Sequence, residues 1–580
     1  MEIKTVCRKD VDMYLKKTKK PNGRLYLSIV EGRRDKETKN SRTVTIQKVG
    51  YLDDLEKKYP DPIAHFNLIT KEMNRDKAEE KAALTITIDS TQRVGENERK
   101  NFGYVALSAI YHELKIHKFL TARQRTAGPE YNLNQIMRLL VFSRLLYPGS
   151  KKKAYENRQR FFERSDFNQT DMYRALSKIA NYKEALQLWM HERVIELYGR
   201  DTSVVYYDVT NYYFEIDEQD KLRRKGISKE HRPDPIVQMG LMLDNNGVPI
   251  AYQLFPGNAN DCTTLLPIIK RIRRQFGTGK AIVVSDKGLN TGKNAYYLAN
   301  SRGGYVFSQT VRGGNADLKK YVLDATGYDR LEAGFKKKSR QHTRLVEFED
   351  DDGKDVKANI AEKQVVFYSP EYDRRAKADR ASAVRKARAI INNPQNFNKK
   401  NSYGAAKYIR QIEYDKNTGE IITPRNELVF NEEALAEDEK FDGYYVIVTS
   451  RHFESDDWVI DTYRGLWRIE ETFKVTKSDL EARPVFVSRQ DRIEAHFLIC
   501  FVALLIIRLL QRNLKNVFSV EKILDSLAKS CCSLVKDNVH MFDYYDEVLT
   551  EVGSLLGIDF SLKYRTQADI KNVVAGVKIF

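Results

Sequence analysis

The chain runs to 580 residues, enough for several domains, and its 42% hydrophobic content supplies real cores and excludes wholesale disorder. Lysine and arginine outnumber aspartate and glutamate by 98 to 80, and this surplus of +18, with 33 tyrosines and 26 phenylalanines, points to a polyanionic partner without separating DNA from RNA or anionic lipid. Five cysteines with no C-x-x-C pair argue against a disulfide scaffold or a cysteine-type zinc site, and the longest apolar run, Phe497 to Ile507, falls far short of the ~20 residues of a membrane span.

In chain order, Arg24–Val30 and Arg42–Val49 alternate as strands do, with the charged run Glu31–Asn40 between them as a hairpin tip. From Asp53 to about Lys118 helical patterns prevail, broken by an extended patch, Leu84–Ile88. Residues 131–200 read as helices, with Pro148–Lys153 a basic loop between two of them. At Thr202 the pattern changes. Ser203–Tyr207 is a continuous apolar run ending at Asp208; Gln238–Leu243 and Pro249–Phe255 flank Asn246-Gly247, a strong hairpin signal. A helix over Thr263–Phe276, a buried strand Ala281–Val284 ending at Ser285-Asp286, a helix over Asn294–Ser301 and a strand Gly304–Ser308 complete a mixed α/β sheet, not a doubly wound repeat. Charged strand-like pieces and a basic helix, Asp373–Ile391, then lead to a strand at Gly443–Ser450. Phe497–Ile507 is expected to be a buried helix, and the chain beyond it helical to about Val535. No N-terminal signal peptide is expected.

The domains expected are an N-terminal α+β accessory region that grips the polyanion (1–125), a helical region (126–200), a core in two parts (201–310 and 453–515), a β-rich insertion between them (311–452) and a helical C-terminal region (516–580).

Val459–Leu480 reads as one long helix. At ~100° per residue Tyr463, Leu466, Glu470 and Lys477 share roughly a 60° arc, beside an apolar stripe of Ile469, Phe473 and Leu480. An anonymous helix of this kind is usually a solvated face. Two aspartates change its meaning: Asp208 and Asp286 each end an apolar strand, where carboxylates project from one rim of a sheet. A strand-end aspartate by itself is more often a turn former or cap. The pair with a helix glutamate, and no cysteine or histidine near, makes a hard oxygen set suited to Mg²⁺ or Mn²⁺.

Four stretches stand in this order: YYDVTNYYFE around Asp208, GVPIAYQLFPGNAND over Gly247–Asp261, VVSDKGLN around Asp286, and YRGLWRIEETFKVTK from Tyr463 to Lys477. Over roughly residues 200–500 the chain resembles the DDE transposases of bacterial insertion sequences, in the group marked by a Tyr-x2-Arg-x3-Glu-x6-Lys signature; RLLYPGSK, Arg144–Lys151, is in the same style. The resemblance implies an RNase H-like core, a mixed sheet with flanking helices interrupted by the β-rich insertion. It makes Asp208, Asp286 and Glu470 the catalytic triad, holding two Mg²⁺ (or Mn²⁺) ions per active site. Tyr463 and Lys477 would contact phosphates of the transposon end. The signature's arginine falls on Leu466, which cannot grip a phosphate with two bonds; Arg464 or Arg468 stands in for it, or the contact is absent. Tyr445 is a candidate stacking aromatic for a hairpin intermediate, beside its plainer reading as a strand residue, and the hairpin step stays open. Gly257, Asn258 and Asp261 read as loop architecture near the site.

The function expected is a dimeric, cytoplasmic, nucleoid-associated DNA transposase with no membrane partner. It would bind its element's terminal inverted repeats, cleave at the transposon ends and join the 3′-hydroxyls to target DNA. A structure-selective nuclease on the same core, and a non-catalytic transposase-derived DNA-binding protein, are the alternatives; joining of labelled ends to target separates the first, and absence of cleavage the second.

Overall fold

The computed structural model describes residues 13–34, 41–59, 61–82, 99–127, 130–226, 233–393, 404–412, 427–536 and 538–579, in two compact units, Met1–Glu96 with Val535–Val539 and the remainder. In the first unit, β1 (Met13–Lys19), β2 (Leu25–Arg34) and β3 (Ser41–Tyr51) form an antiparallel sheet in that order. A short turn of helix, α1 (Leu52–Leu55), precedes the long α2 (Pro62–Ala82). Leu27, Ile29 and Val30 of β2 are buried, and the Asn74 side chain of α2 bonds both the N–H and the carbonyl of Met13, at 2.9 and 2.8 Å, tying the helix to β1. The extended patch expected at Leu84–Ile88, like the hairpin tip at residues 35–40, lies outside the described residues.

The second unit opens with β4 (Arg99–Asn101) and a helical layer: α3 (Tyr104–Glu113), α4 (Ile116–Ala127), α5 (Leu133–Leu146), α6 (Lys151–Glu156), α7 (Gln169–Asn181) and α8 (Lys183–Tyr198). The division between the compact units falls at Glu96–Asn97, whereas the N-terminal region was expected to run to 125. Tyr104–His112 are all buried, so α3 is a core helix of this unit and not part of the N-terminal region.

A nine-stranded mixed sheet follows. Its strands are β5 (Val204–Tyr213), β6 (Ile236–Leu243), β7 (Pro249–Pro256), β8 (Ile282–Ser285), β9 (Tyr305–Gln309), β10 (Asp329–Arg330), β11 (Lys336–Glu349), β12 (Asp355–Tyr368) and, after the ribbon β13 (Ile409–Ile412) and β14 (Glu427–Phe430), β15 (Tyr444–Thr449). Their order is β10-β11-β12-β15-β9-β8-β5-β6-β7. β5, β6 and β7 run antiparallel, and β5, β8 and β9 run parallel. The β6–β7 turn holds Gly247 at φ +79°, where the Asn-Gly pair led us to expect it. Helices α9 (Leu265–Gln275), α10 (Gly292–Ala299) and α11 (Ala316–Leu323) cover one face.

The stretch 311–452, expected as a β-rich insertion between the two parts of the core, contributes β10, β11, β12 and β15 to the same sheet. β12 pairs with β15 (Val365↔Ile447) and β15 with β9 (Ile447↔Ser308). Val365, Val366 and Phe367 are buried, so their backbone needs hydrogen-bond partners on both sides, and the sheet supplies them. The part that stands off is α12 (Pro370–Asn392) with β13, β14 and α13 (Glu432–Glu439), around a small core of Ala387, Ile390, Ala405 and Tyr408.

Three segments, α14 (Asp456–Arg464), α15 (Trp467–Lys474) and a π-helical turn Val475–Asp479, lead to α16 (Gln490–Asn513). By length and composition α16 is long and apolar enough to cross a membrane, with mean hydropathy 2.3, yet 89% of that window is buried within the protein. The C-terminal region is not wholly helical as expected: α17 (Val520–Lys529) is followed by β16 (Cys531–Lys536), which pairs with β4 over Cys531–Ser533.

The RLLYPGSK stretch ties the helical layer to the end of the π turn. Buried Arg144 donates to the carbonyls of Leu480 (3.1 Å), Glu481 (2.9 Å) and Gly149 (2.8 Å). Lys151, expected in a basic loop, begins α6 and is buried against Nδ1 of His496, whose Nε2–H donates to the Ala482 carbonyl at 2.9 Å. Burial, with Arg144 adding to it, lowers the Lys151 amine from 10.5 to about 7. The unfolded chain keeps the ammonium up to about pH 10.5, so between that value and about 7 folding expels a proton and stability climbs with pH. We expect urea unfolding at pH 7.5 and 9.5 to show wild type gaining roughly 1.4 kcal/mol per pH unit from this group. Lys151→Met should lose that increment; an unchanged slope would mean the amine stays charged in the fold.

Candidate active site at the rim of the sheet

Strand alternation sorts β5 into two faces. Val205, Tyr207 and Val209 pack with α9 and α10, whereas Val204, Tyr206 and Tyr212 pack with α14, α15 and α16. Asp208 has the parity of the second set. In β8, Ile282 and Val284 belong to that same face, and Asp286 follows Val284 by two residues. The strands pair Val204↔Ile282 and Tyr206↔Val284, so the register carried on by two residues matches Asp208 with Asp286. β8 stops at Ser285, and Asp286 caps the short 3₁₀ turn Lys287–Leu289, its carboxylate accepting from Gly288 N–H. Both aspartates are half-buried; Asp286 follows the end of β8, whereas Asp208, expected to end its strand, lies midway along β5, which stays paired with β6 through Tyr213.

The helix over them is not continuous, as Val459–Leu480 was expected to be. It breaks at Gly465-Leu466, where the backbone touches β5: a Cβ on Gly465 would lie 2.0 Å from the Tyr206 hydroxyl. It widens again at the π turn, where Leu480 N–H bonds Val475 O at 2.9 Å. These irregularities redistribute the expected arc. Leu466 is buried, though it still lines a cleft of about 710 Å³ together with Tyr463 and Glu470. Lys477 turns toward β5, its Nζ 5.8 Å from the centre of the Tyr212 ring, and is not among the residues lining that cleft. Gly465 and Arg468 meet β5 at Tyr206, and Thr476 Oγ1 meets it at the Tyr212 hydroxyl, 2.9 Å away. Glu470 lies between these two points in the chain and is exposed. The oxygen-only donor set fits a hard divalent cation. Among the described residues, no three His, Cys, Asp or Glu side chains gather as one metal-holding group. The aspartates each follow by two residues the last alternate pair of β5 and β8, Tyr206↔Val284, and Glu470 stands on α15.

Tyr445 and Tyr463, singled out for different tasks, meet here: their hydroxyls are 2.8 Å apart and their rings 5.6 Å. Burial above all raises both phenols, with the Asp286 carboxylate adding a little, so both stay neutral hydroxyls. Tyr445 also packs on Phe367 and Tyr372, as a strand residue in an aromatic cluster. Of the two arginines that might replace the missing signature contact, Arg468 is a brace, its guanidinium 5.7 Å from the Tyr206 ring and 3.4 Å from the Tyr206 hydroxyl. Arg464 is exposed at the cleft, 3.3 Å from Asp461. Gly257 is wedged against the carbonyls of Ile236 and Arg224, in keeping with loop architecture. Sequence reasoning missed Trp467, which lines the cleft at 55% exposure. The available signal was a large aromatic between Leu466 and Arg468 on a helix whose apolar stripe was already supplied.

Residues 214–506 match the transposase DDE domain family, a stretch that takes in Asp286 and Glu470 and begins just after Asp208. The chain belongs to the DDE transposase family. Residues 15–84 match the N-terminal domain of IS1634 family transposases, and they fall within the first compact unit. The protein is thus a DNA transposase of the insertion-sequence kind, an enzyme of a family that uses divalent metal ions. No curated protein matches the chain. Among solved structures, the cryo-EM synaptic complex of piggyBac transposase with hairpin DNA is similar over 86% of this chain and 80% of that one, at 7% identity and a TM-score of 0.33. The Mos1 transposase paired-end complex with the left transposon end is similar over 40% of this chain and 64% of that one, at 10% identity and a TM-score of 0.13. The family assignment rests on the sequence matches.

Proposed function

We propose that this transposase binds the terminal inverted repeats of its own insertion sequence as a homodimer, cuts at the transposon ends and joins the freed 3′-hydroxyls to target DNA. The observation that supports this reading is the parallel pairing of β5 with β8 up to Tyr206↔Val284, two residues before Asp208 and Asp286, on the face of the sheet that packs with the helix bearing Glu470. In it, Asp208, Asp286 and Glu470 of an RNase H-like core hold two divalent ions, Mg²⁺ or Mn²⁺. Bound there, such ions lower the pKa of an attacking water or 3′-hydroxyl and stabilise the leaving oxygen. The chain's own residues deliver the DNA. Tyr463 offers a neutral hydroxyl and Arg464 a guanidinium in the lining of the cleft, and Lys477 an ammonium beside the Tyr212 ring of β5. α12 lines another wall of the cleft through Tyr372, Arg375 and Arg380, and away from that wall its Arg374, Arg385, Lys386 and Arg388 are exposed and have no carboxylate partner among the described residues. Such a face suits phosphates, which position a duplex without reading its sequence.

The test is a labelled duplex ending in the element's terminal repeat, incubated with Mg²⁺ and a supercoiled target. Cleavage at the repeat boundary followed by transfer of label to the target is the expected result. Cutting that ignores the repeat, with no joining, would replace this reading with a plain nuclease. Repeat-specific binding without any cutting would replace it with a DNA-binding protein.

A further inference from the structure

The loop that presents Asp286 is held by residues of β9, β11 and β12 in the same sheet. It runs Asp286-Lys287-Gly288-Leu289-Asn290, with Leu289 N–H on the Asp286 carbonyl and Asn290 N–H on the Lys287 carbonyl, each at 3.2 Å. Its far end is fixed by the Asn290 side chain, whose Nδ2 donates to the Ser308 carbonyl of β9 at 3.0 Å. Both oxygens of Asn290 are taken by one guanidinium: Arg344 of β11 donates to Oδ1 at 2.7 Å and to the backbone carbonyl at 3.4 Å. Arg344 is aimed there by Glu362 of β12, 1% exposed, which accepts from Arg344 at 3.4 Å and from the Tyr305 hydroxyl at 2.5 Å. β11 also presses on the start of the next helix, since a Cβ on Gly292 would come within 3.1 Å of Val346. A buried carboxylate is costly without partners, and a stability role alone would be met by any cation facing Glu362. The contact to both oxygens of Asn290 goes further, because it fixes a loop whose first residue is a site carboxylate.

We propose that Arg344 and Asn290 are positioning residues, which set the direction of the Asp286 carboxylate by clamping the loop from Asp286 to Asn290. The inference rests on the reading of Asp208 and Asp286 as a cation-holding pair. Outer partners of metal ligands typically contribute 10–100-fold in affinity.

The experiment titrates the full-length protein, without DNA, with Mn²⁺, following free Mn²⁺ by its paramagnetic resonance signal, and records each variant's thermal midpoint. Arg344→Met and Asn290→Ala are expected to weaken Mn²⁺ binding about 10-fold or more. Asn290→Ala leaves Glu362 paired, so it carries the test if Arg344→Met does not fold. Arg344→Lys keeps a cation opposite Glu362 but lacks the planar fork that reaches two oxygens; it should restore the thermal midpoint and not the Mn²⁺ affinity. Full restoration by lysine, or wild-type binding by Asn290→Ala while Asp286→Asn binds weakly, would overturn the positioning role and leave the site intact. Wild-type binding by Asp286→Asn itself would overturn the site, and the inference with it.

Discussion

Glu470→Gln is expected to cut cleavage of a terminal-repeat duplex about 1000-fold or more while leaving duplex binding close to wild type. A cation's stabilisation of the transition state is worth several kcal/mol, and ~4 kcal/mol corresponds to about three powers of ten in rate. Glutamine keeps the size and one acceptor oxygen of glutamate but removes the charge a hard cation needs. Because Glu470 is exposed and holds no ion pair among the described residues, the exchange should change folding stability by about 0.5 kcal/mol at most. Its neighbour provides the control. Glu471 is turned away from the cleft and bonded to Arg508 at 3.2 Å, so Glu471→Gln should cost some stability and little cleavage. Cleavage rates measured side by side decide it: equal loss in both, or none in Glu470→Gln, would remove Glu470 from the site.

Much of this site could be read from local pattern. Asp208 and Asp286 stood out because each follows an apolar run, and alternation then put them on one face. The hairpin at Asn246-Gly247 and the buried helix around Phe497–Ile507 were equally local, each signalled within a few residues. What escaped depends on partners distant in the chain. Periodicity identifies Thr343–Phe348 and Val365–Tyr368 as strands but not which edge they join, so their place in the core sheet through β15 was not legible. Lys151 looks like any surface lysine until α16 closes over it. The clamp of Arg344 on Asn290 has no sequence signature at all, being a meeting of two segments that only the sheet order brings together.

The break at Gly465 is the most consequential of these nonlocal features, and it leads to the second large expected effect. In an isolated helix Gly→Ala is favourable by about 1 kcal/mol. Here the new methyl would sit 2.0 Å from the Tyr206 hydroxyl oxygen and 2.6 Å from the ring carbon bearing it. Tyr206 is buried in the strand that carries Asp208 and cannot yield as a surface side chain would. Either the helix lifts or the strand shifts, and both move Glu470 relative to Asp208. Overpacking of this kind costs about 1–3 kcal/mol, which outweighs the propensity gain, and a misplacement of ~1 Å costs on the order of 100-fold in rate. Gly465→Ala should therefore lower the thermal midpoint and reduce end cleavage about 100-fold, with duplex binding retained. Replacing Tyr206 by leucine in the same chain takes away both the hydroxyl and the ring carbon that the methyl meets. Cleavage that partly recovers in this double variant would locate the fault in that one contact. Wild-type cleavage by Gly465→Ala alone would mean that the helix carries Glu470 to Asp208 without resting on Tyr206.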